Sequence, residues 1–112
     1  MRLIYSIMLG IIITSTNLVA YSYDEEDVRY FLKNSKCHQC DLSNYNFEKK
    51  YLDQVVISES TLIGTNFNNA KIANSRIRSS DLTNSTFINA DMNTTLIEDS
   101  NFTNANLTEI NL

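Results

Sequence analysis

The chain has little of what catalysis, nucleic-acid binding and membrane spanning require. Its 112 residues include one histidine, two glycines and two cysteines, and they carry a net charge of −4. So few glycines do not build a glycine-rich phosphate loop, and a single histidine with scattered carboxylates does not form an acid–base site. Residues 40–112 hold five basic and nine acidic side chains, so the basic footprint of a nucleic-acid-binding protein is absent. We therefore expect no enzyme, no catalytic residue, no cofactor, no metal and no nucleic-acid partner.

What the chain does have is a large apolar residue at every fifth position from Leu42 to Leu112. A period of five matches neither the helix period nor the strand period, so it indicates a repeat architecture. The fifteen central positions are Leu42, Phe47, Leu52, Ile57, Leu62, Phe67, Ile72, Ile77, Leu82, Phe87, Met92, Ile97, Phe102, Leu107 and Leu112. Two residues before each centre lies a second series, which from Ser60 to Ala105 contains only Ala, Ser and Thr.

The central residues also repeat in kind at every fourth unit. Phe47, Phe67 and Phe87 form one column, and the isoleucines at 57, 77 and 97 form another. Such columns predict four five-residue units per coil, with like side chains stacked at the spacing of β-strands, about 4.8 Å. A narrow interior of this kind admits one large side chain per unit, which explains why the second series is small.

The repeat unit resembles that of the pentapeptide-repeat family. Its segments Ala70–Asn74 (Ala-Lys-Ile-Ala-Asn) and Ser80–Asn84 (Ser-Asp-Leu-Thr-Asn) match a small residue, Asp or Asn, Leu or Phe, and two polar residues. The same register extends from Cys40 to Leu112. The resemblance implies an all-β fold, a right-handed quadrilateral β-helix of about four coils at residues 37–112. Some secreted members are similar in having a short helix, a Cys-x-x-Cys motif and then Asp-Leu-Ser.

Residues 1–22 are predicted to be a signal peptide. Met1-Arg2 supplies the positive start, and the apolar run Leu3 to Ile13 is too short for a transmembrane helix. Small residues at Ala20 and Ser22 place cleavage after Ser22; cleavage after Ala20 is an alternative that would put Leu18 at the −3 position. We therefore expect a secreted or periplasmic protein that has no membrane segment after cleavage; an uncleaved anchor is the alternative.

Residues 23–36 are predicted to form an N-terminal capping α-helix. Ser22 and Glu25 have the spacing of a capping box, and Val28, Phe31 and Leu32 form an apolar stripe. An uncovered solenoid end would expose core and backbone, so we expect this helix to lie over the first coil.

The repeat is still running at Ile110-Asn111-Leu112, with no cap evident in the sequence. We therefore hypothesise an end-to-end homodimer through Ile110 and Leu112.

Cys37-His38-Gln39-Cys40 is the one constellation with chemical potential, and three interpretations compete. An oxidising compartment favours a disulfide between Cys37 and Cys40. A structural zinc site would need a fourth ligand that the sequence does not offer. A thioredoxin-like redox centre would need a βαβ unit, which the repeat does not allow.

Outward positions offer charged pairs, an asparagine-rich surface and one mixed patch. Lys71 lies four units before Asp91, and Arg78 lies four units before Glu98, so stacked coils would bring these opposite charges together. The frequent asparagines are interpreted as turn residues, with a ligand-binding array as the alternative.

The mixed patch consists of Val56, Arg76 and Leu96, which we predict to share one face and to contact another protein. The favoured function is therefore a protein-interaction module or structural scaffold with an unidentified protein partner. One alternative comes from the resemblance, since some family members inhibit DNA gyrase as mimics of duplex DNA. A redox-active Cys-x-x-Cys protein is the second alternative.

Overall fold

The computed structural model describes residues 22–112. All but the last residue of the predicted signal peptide, 1–22, therefore lie outside the described residues. The described part begins with helix α1, Glu25–Asn34. Four short strands follow: β1 Lys36–His38, β2 Val56–Ser58, β3 Arg76–Arg78 and β4 Leu96–Glu98.

The four strands form one parallel sheet in chain order, β1-β2-β3-β4. Each strand residue pairs with its counterpart four units later, as Cys37 does with Ile57 and Ile57 with Ile77. Isolated parallel bridges repeat the same offset on three more sides of the coil, beginning at Asp41↔Thr61, Asn46↔Asn66 and Tyr51↔Lys71. The chain therefore returns on itself after every fourth unit, which confirms the predicted four units per coil.

The central residues form the core of the coils. Every predicted centre from Leu42 to Met92 is buried, and the small series beside them is buried from Ser60 to Ala90. The phenylalanine column stacks as predicted, with ring centroids 5.1 Å apart for Phe47 and Phe67 and 4.8 Å apart for Phe67 and Phe87. Near-parallel rings at this distance add a specific attraction to the burial of apolar area.

Every coil corner places one residue in the left-handed region. The positive-φ residues recur at every fifth position from Gln39 to Glu109, with φ between 49° and 68°. Six of these fifteen positions are asparagine, the side chain that tolerates this conformation best after glycine. Many of the asparagines therefore serve the corners, as the turn interpretation predicts.

Other Asn and Asp residues support the corners through their side chains. Asn66 accepts a hydrogen bond from the amide of Asn68, and Asp81 accepts one from the amide of Thr83, at 2.8 Å and 3.0 Å respectively. The same link to the amide two residues ahead recurs at Asp41, Asn46, Asp91, Asn101 and Asn106. Such Asx turns fix the direction in which the chain leaves each side.

The residues of the small series lie at two kinds of corner, which differ in the group that accepts a hydrogen bond from the backbone amide. At corners such as Ala70 and Ser85, the residue's own amide bonds to the carbonyl three residues earlier. On both sides of the strand sheet, the corner amide bonds instead to a hydroxyl of the next coil. On one side, the amides of Cys40, Ser60 and Ser80 donate to the hydroxyls of Ser60, Ser80 and Ser100, respectively. On the other side, the amides of Val55 and Ser75 donate to the hydroxyls of Ser75 and Thr95, respectively. A hydroxyl side chain, Ser or Thr, is thus required where Ala would leave the corner amide unpaired, a distinction that the repeat pattern does not reveal.

Helix α1 packs on the first coil. Its N-cap is Asp24, whose carboxylate accepts from the amides of Glu26 and Asp27, so the prediction of Ser22 as the cap was wrong. Phe31 is fully buried with its ring edge on Phe47, 5.6 Å between centroids. The helix is also tied by hydrogen bonds, since Asp41 donates its amide to Asp27 and accepts at its carbonyl from the amide of Asp24.

Leu32 and Tyr45 show how the helix and the first coil fit together. Leu32 is 43% exposed, so its place in the buried stripe was wrong, because only Val28 and Phe31 face the coil. Tyr45 occupies a small-residue position, and its ring contacts Tyr23 edge-on at 4.8 Å beside the helix. The irregular first coil is thus adapted to the segment that covers it.

The two corner types yield a stability prediction. Ser80→Ala removes the acceptor for the buried amide of Ser60, 3.1 Å away, and we expect a loss of roughly 1–3 kcal/mol in the free energy of unfolding. The matched control is Ser85→Ala: this buried hydroxyl only donates to the Leu82 carbonyl, which keeps its backbone bond, so the loss stays below about 1 kcal/mol. Urea denaturation measures both, and equal losses would contradict the role assigned to Ser80.

Candidate functional site

The outer surface of strands β1–β4, called here the strand face, is the one extended sheet surface among residues 22–112. Side chains alternate along each three-residue strand, so the middle residue points inward and the two flanking residues point outward. The outward side chains form two rows across the strands. The first row is Lys36, Val56, Arg76 and Leu96, and the second is His38, Ser58, Arg78 and Glu98.

The first row brings together the three residues of the predicted contact patch. Val56 pairs with Arg76, and Arg76 pairs with Leu96, in neighbouring strands. Val56 is 40% exposed and Leu96 is 45% exposed, and Arg76 between them is exposed as well. At the usual strand spacing, Val56 and Leu96 lie about 10 Å apart with the arginine between them.

In the second row, His38 forms a hydrogen bond with Ser58, whereas Arg78 has no ion-pair partner in the described chain. The Nδ1 atom of His38 lies 2.9 Å from the hydroxyl of Ser58. Arg78 and Glu98 are partners in register, as predicted, but they form no ion pair. Within residues 22–112 the single ion pair joins Arg29 to Glu26, 2.8 Å apart on helix α1.

The predicted pairing of Lys71 with Asp91 is likewise wrong, although the two residues do share a bridge. The Lys71 amine lies 5.2 Å from the ring centroid of Tyr51, in a cation–π contact. Asp91 is occupied by other donors, because its carboxylate accepts from the amide of Asn93 and from the side chain of Asn111. Neighbouring positions in the register therefore do not ensure an ion pair, since Lys71 and Asp91 each contact other groups.

The two cysteines lie beneath the strand face. Cys37 pairs in register with Ile57 at the inward position, and it is 1% exposed, while Cys40 is 6% exposed. The structure joins their sulfur atoms, with the Cα atoms 5.6 Å apart, a separation typical of disulfides. His38 points to the opposite side of β1, so it does not join the sulfur atoms in one site. Among the described residues no group of three His, Cys, Asp or Glu side chains is placed to hold a metal ion.

An apolar pit opens at the last coil. Its volume is about 250 Å³, and it is lined by Met92, Ile97, Phe102, Leu107, Ile110 and Leu112. Leu112 is 72% exposed and Leu107 is 41% exposed, because no further coil of the described chain lies over them. The residues of the hypothesised dimer end, Ile110 and Leu112, thus lie together at the rim of one pit.

The acidic side chains do not form tracks. Along the column Asp41, Thr61, Asp81 and Asn101, every second coil is neutral. In none of the columns of residues 36–112 do two acidic side chains occupy consecutive coils. No helix of the described residues is long and apolar enough to cross a membrane.

Lys36 and Arg78 are members of the strand face that the sequence analysis did not assign to the patch. The signal was present, since Lys36 lies one coil before Val56 and Arg78 lies two residues after Arg76. Arg78 was considered only as the partner of Glu98, and the geometry shows that it shares its surface with Arg76.

Known proteins give matches of two kinds. A family profile described as "Pentapeptide repeat region" matches residues 31–112. Among solved structures, a pentapeptide repeat protein from the thylakoid lumen of Arabidopsis thaliana is similar, with a TM-score of 0.50 and 15% identity over 70% of this chain and 66% of that one. The pentapeptide repeat protein Rfr23 from the cyanobacterium Cyanothece 51142 matches at a TM-score of 0.40 and 15% identity, over 78% and 90% of the two chains. The curated proteins gave no match.

The cysteine pair yields a prediction about redox state. We expect the protein isolated from its native compartment to carry no free thiol, because both sulfur atoms are buried and paired and the predicted signal peptide implies an oxidising environment. Alkylation under denaturing conditions followed by mass spectrometry checks this, with a chemically reduced sample as the control. Two alkylated cysteines without prior reduction would rule out the disulfide.

Proposed function

Because the chain belongs to the pentapeptide-repeat family, we propose that it is a non-enzymatic, secreted or periplasmic protein that binds another protein or serves as a structural scaffold. The observation that best supports this function is the row Val56, Arg76 and Leu96 on the strand face. It combines two exposed apolar side chains with an arginine that has no ion-pair partner in the described chain.

The composition of this row supports a protein partner. Arginine is enriched in protein interfaces relative to the rest of the surface and carboxylates are depleted, and the buried centre of an interface is more apolar than its rim. The three residues lie on a regular sheet, whose hydrogen bonds hold them in place before binding, so a partner would meet a preformed surface.

The compartment is proposed from the predicted signal peptide at residues 1–22. The similarly folded Arabidopsis protein is a thylakoid-lumen protein, which is consistent with a place outside the cytoplasm.

For the repeat domain, we propose the right-handed β-helix of about four coils that the family resemblance implies.

The two alternatives have less support. A DNA mimic needs a continuous line of negative charge, and the acidic side chains of residues 36–112 alternate with neutral or basic ones. A redox centre needs an accessible thiolate, whereas Cys37 and Cys40 are buried.

The proposal predicts that one face decides partner recovery. We expect proximity crosslinking in the native compartment to recover a partner with wild-type protein. Recovery should fall about tenfold with the double variant Val56→Glu, Leu96→Glu, because a loss of about 1.4 kcal/mol at a patch centre has this effect. The control is Ile63→Glu, Ile88→Glu, which adds the same charge at partly buried positions on two other sides. Circular dichroism verifies that both variants fold, and equal recovery from the two variants would contradict the proposal.

The pit at the last coil carries a second proposal, that two copies meet end to end. The exposed leucines at 107 and 112 provide apolar area that a second copy would bury. We expect light scattering after size exclusion to give a dimer at micromolar concentration and a monomer for Leu112→Asp. A monomeric wild-type protein would contradict the dimer and leave the strand face unaffected.

A further inference from the structure

Resting on the proposed function, we propose that the strand face binds an acidic, extended segment of a partner protein, with carboxylates on Arg76 and Arg78. These are the two arginines of residues 36–112, and both belong to β3, inside the sheet. The residue between them, Ile77, is fully buried, so both guanidinium groups leave the same side of the strand.

Neither guanidinium group is neutralised by an ion pair in the described chain. Arg29 of helix α1 pairs with Glu26 at 2.8 Å, but neither arginine of β3 takes part in an ion pair in the described chain. Alternate residues of a strand are about 6.6 Å apart, so two like charges stand side by side. A bound carboxylate would remove this repulsion and would add two-pronged hydrogen bonds that guanidinium forms well.

Toward β1 and β2, the arginines are surrounded by basic or neutral side chains. The outward side chains of β1 and β2 are Lys36, His38, Val56 and Ser58, and none is acidic. The one carboxylate on the face is that of Glu98, the register partner of Arg78 on the neighbouring strand β4, and the two residues form no ion pair. Glu59, at the corner that follows β2, lies 3.5 Å from the amide side chain of Gln39. The outward side chains of the strand face thus carry three cations and one carboxylate, a net charge of +2 in a chain whose net charge is −4.

The spacing indicates the form of the ligand. A segment lying along β3 in an extended conformation would place alternate side chains about 6.6 Å apart, the separation of Arg76 and Arg78. The pattern Asp/Glu-x-Asp/Glu thus matches both arginines. Val56 and Leu96 lie on either side of Arg76, where they would contact the methylene groups of a bound glutamate side chain.

A nucleic acid fits this face less well than an acidic protein segment. Duplex DNA carries one charge per about 1.7 Å of its axis, and its binding gains from many phosphate contacts. The strand face offers three cations, and the 13 acidic residues of the chain would repel a long polyanion.

The test uses the full chain and a fluorescein-labelled peptide of four Glu-Val repeats, with a Gln-Val peptide of equal length as the neutral control. In fluorescence anisotropy at low salt, we expect the acidic peptide to bind at least tenfold more tightly than the neutral one. Arg76→Gln, Arg78→Gln should weaken binding about tenfold. The matched control Lys49→Gln, Lys50→Gln removes the same charge at two exposed positions on another side, and its binding should stay within twofold of wild type.

Each other outcome overturns the proposal. Unchanged binding by the arginine variant would exclude the arginines, and equal weakening in the lysine variant would mean that only net charge matters. Tighter binding of a 12-nucleotide thymidine strand than of the acidic peptide would favour a nucleic acid.

The crosslinking experiment separates this proposal from the one on which it rests. If Val56→Glu, Leu96→Glu abolishes partner recovery and Arg76→Gln, Arg78→Gln does not, the face binds a protein by other means. If neither variant changes recovery, the proposed function itself fails.

Discussion

The structure depends on parallel backbone hydrogen bonds that join each coil to the next. The amide of Leu42 donates to the carbonyl of Thr61, and the amide of Thr61 donates to the carbonyl of Cys40, both at 2.8 Å. This ladder repeats on every side of the coil and fixes the register of the whole described solenoid. Because the register is constant, equivalent positions stack on one another. The phenylalanine and isoleucine columns therefore continue the core from coil to coil.

The corners are the costly part of such a coil, and three devices stabilise them. First, a residue in the left-handed conformation turns the chain. Second, an Asn or Asp side chain accepts a hydrogen bond from the backbone amide two residues ahead. Third, at the edges of the strand sheet, a hydroxyl of the next coil accepts a hydrogen bond from the corner amide. Among the described residues no buried side-chain nitrogen or oxygen lacks a hydrogen-bond partner. The abundance of Asn, Ser and Thr thus has a structural cause.

Much of the candidate site followed from the register of four units per coil. Val56, Arg76 and Leu96 could be assigned to one face because the offset between them is the length of a coil. The local pairing of charges could not be predicted in the same way. Lys71 and Asp91 are neighbours, yet Tyr51 attracts the amine, and the amide of Asn93 and the side chain of Asn111 occupy the carboxylate. Such choices depend on side-chain reach and on competing donors within a few ångströms, which periodicity does not encode.

The sequence by itself determined the repeat, the four-unit coil, the columns of the core and the existence of a helix before them, because these follow from patterns longer than any local exception. Only the tertiary structure decided which small positions need a hydroxyl, since Ser80 and Ser85 look alike until their amide partners are known. It also decided that Asp24 caps the helix, that Leu32 faces solvent, and that Arg76 and Arg78 form no ion pair in the described chain. The reason is physical: burial patterns extend over many residues and survive exceptions, whereas hydrogen bonds and ion pairs are decided by individual distances.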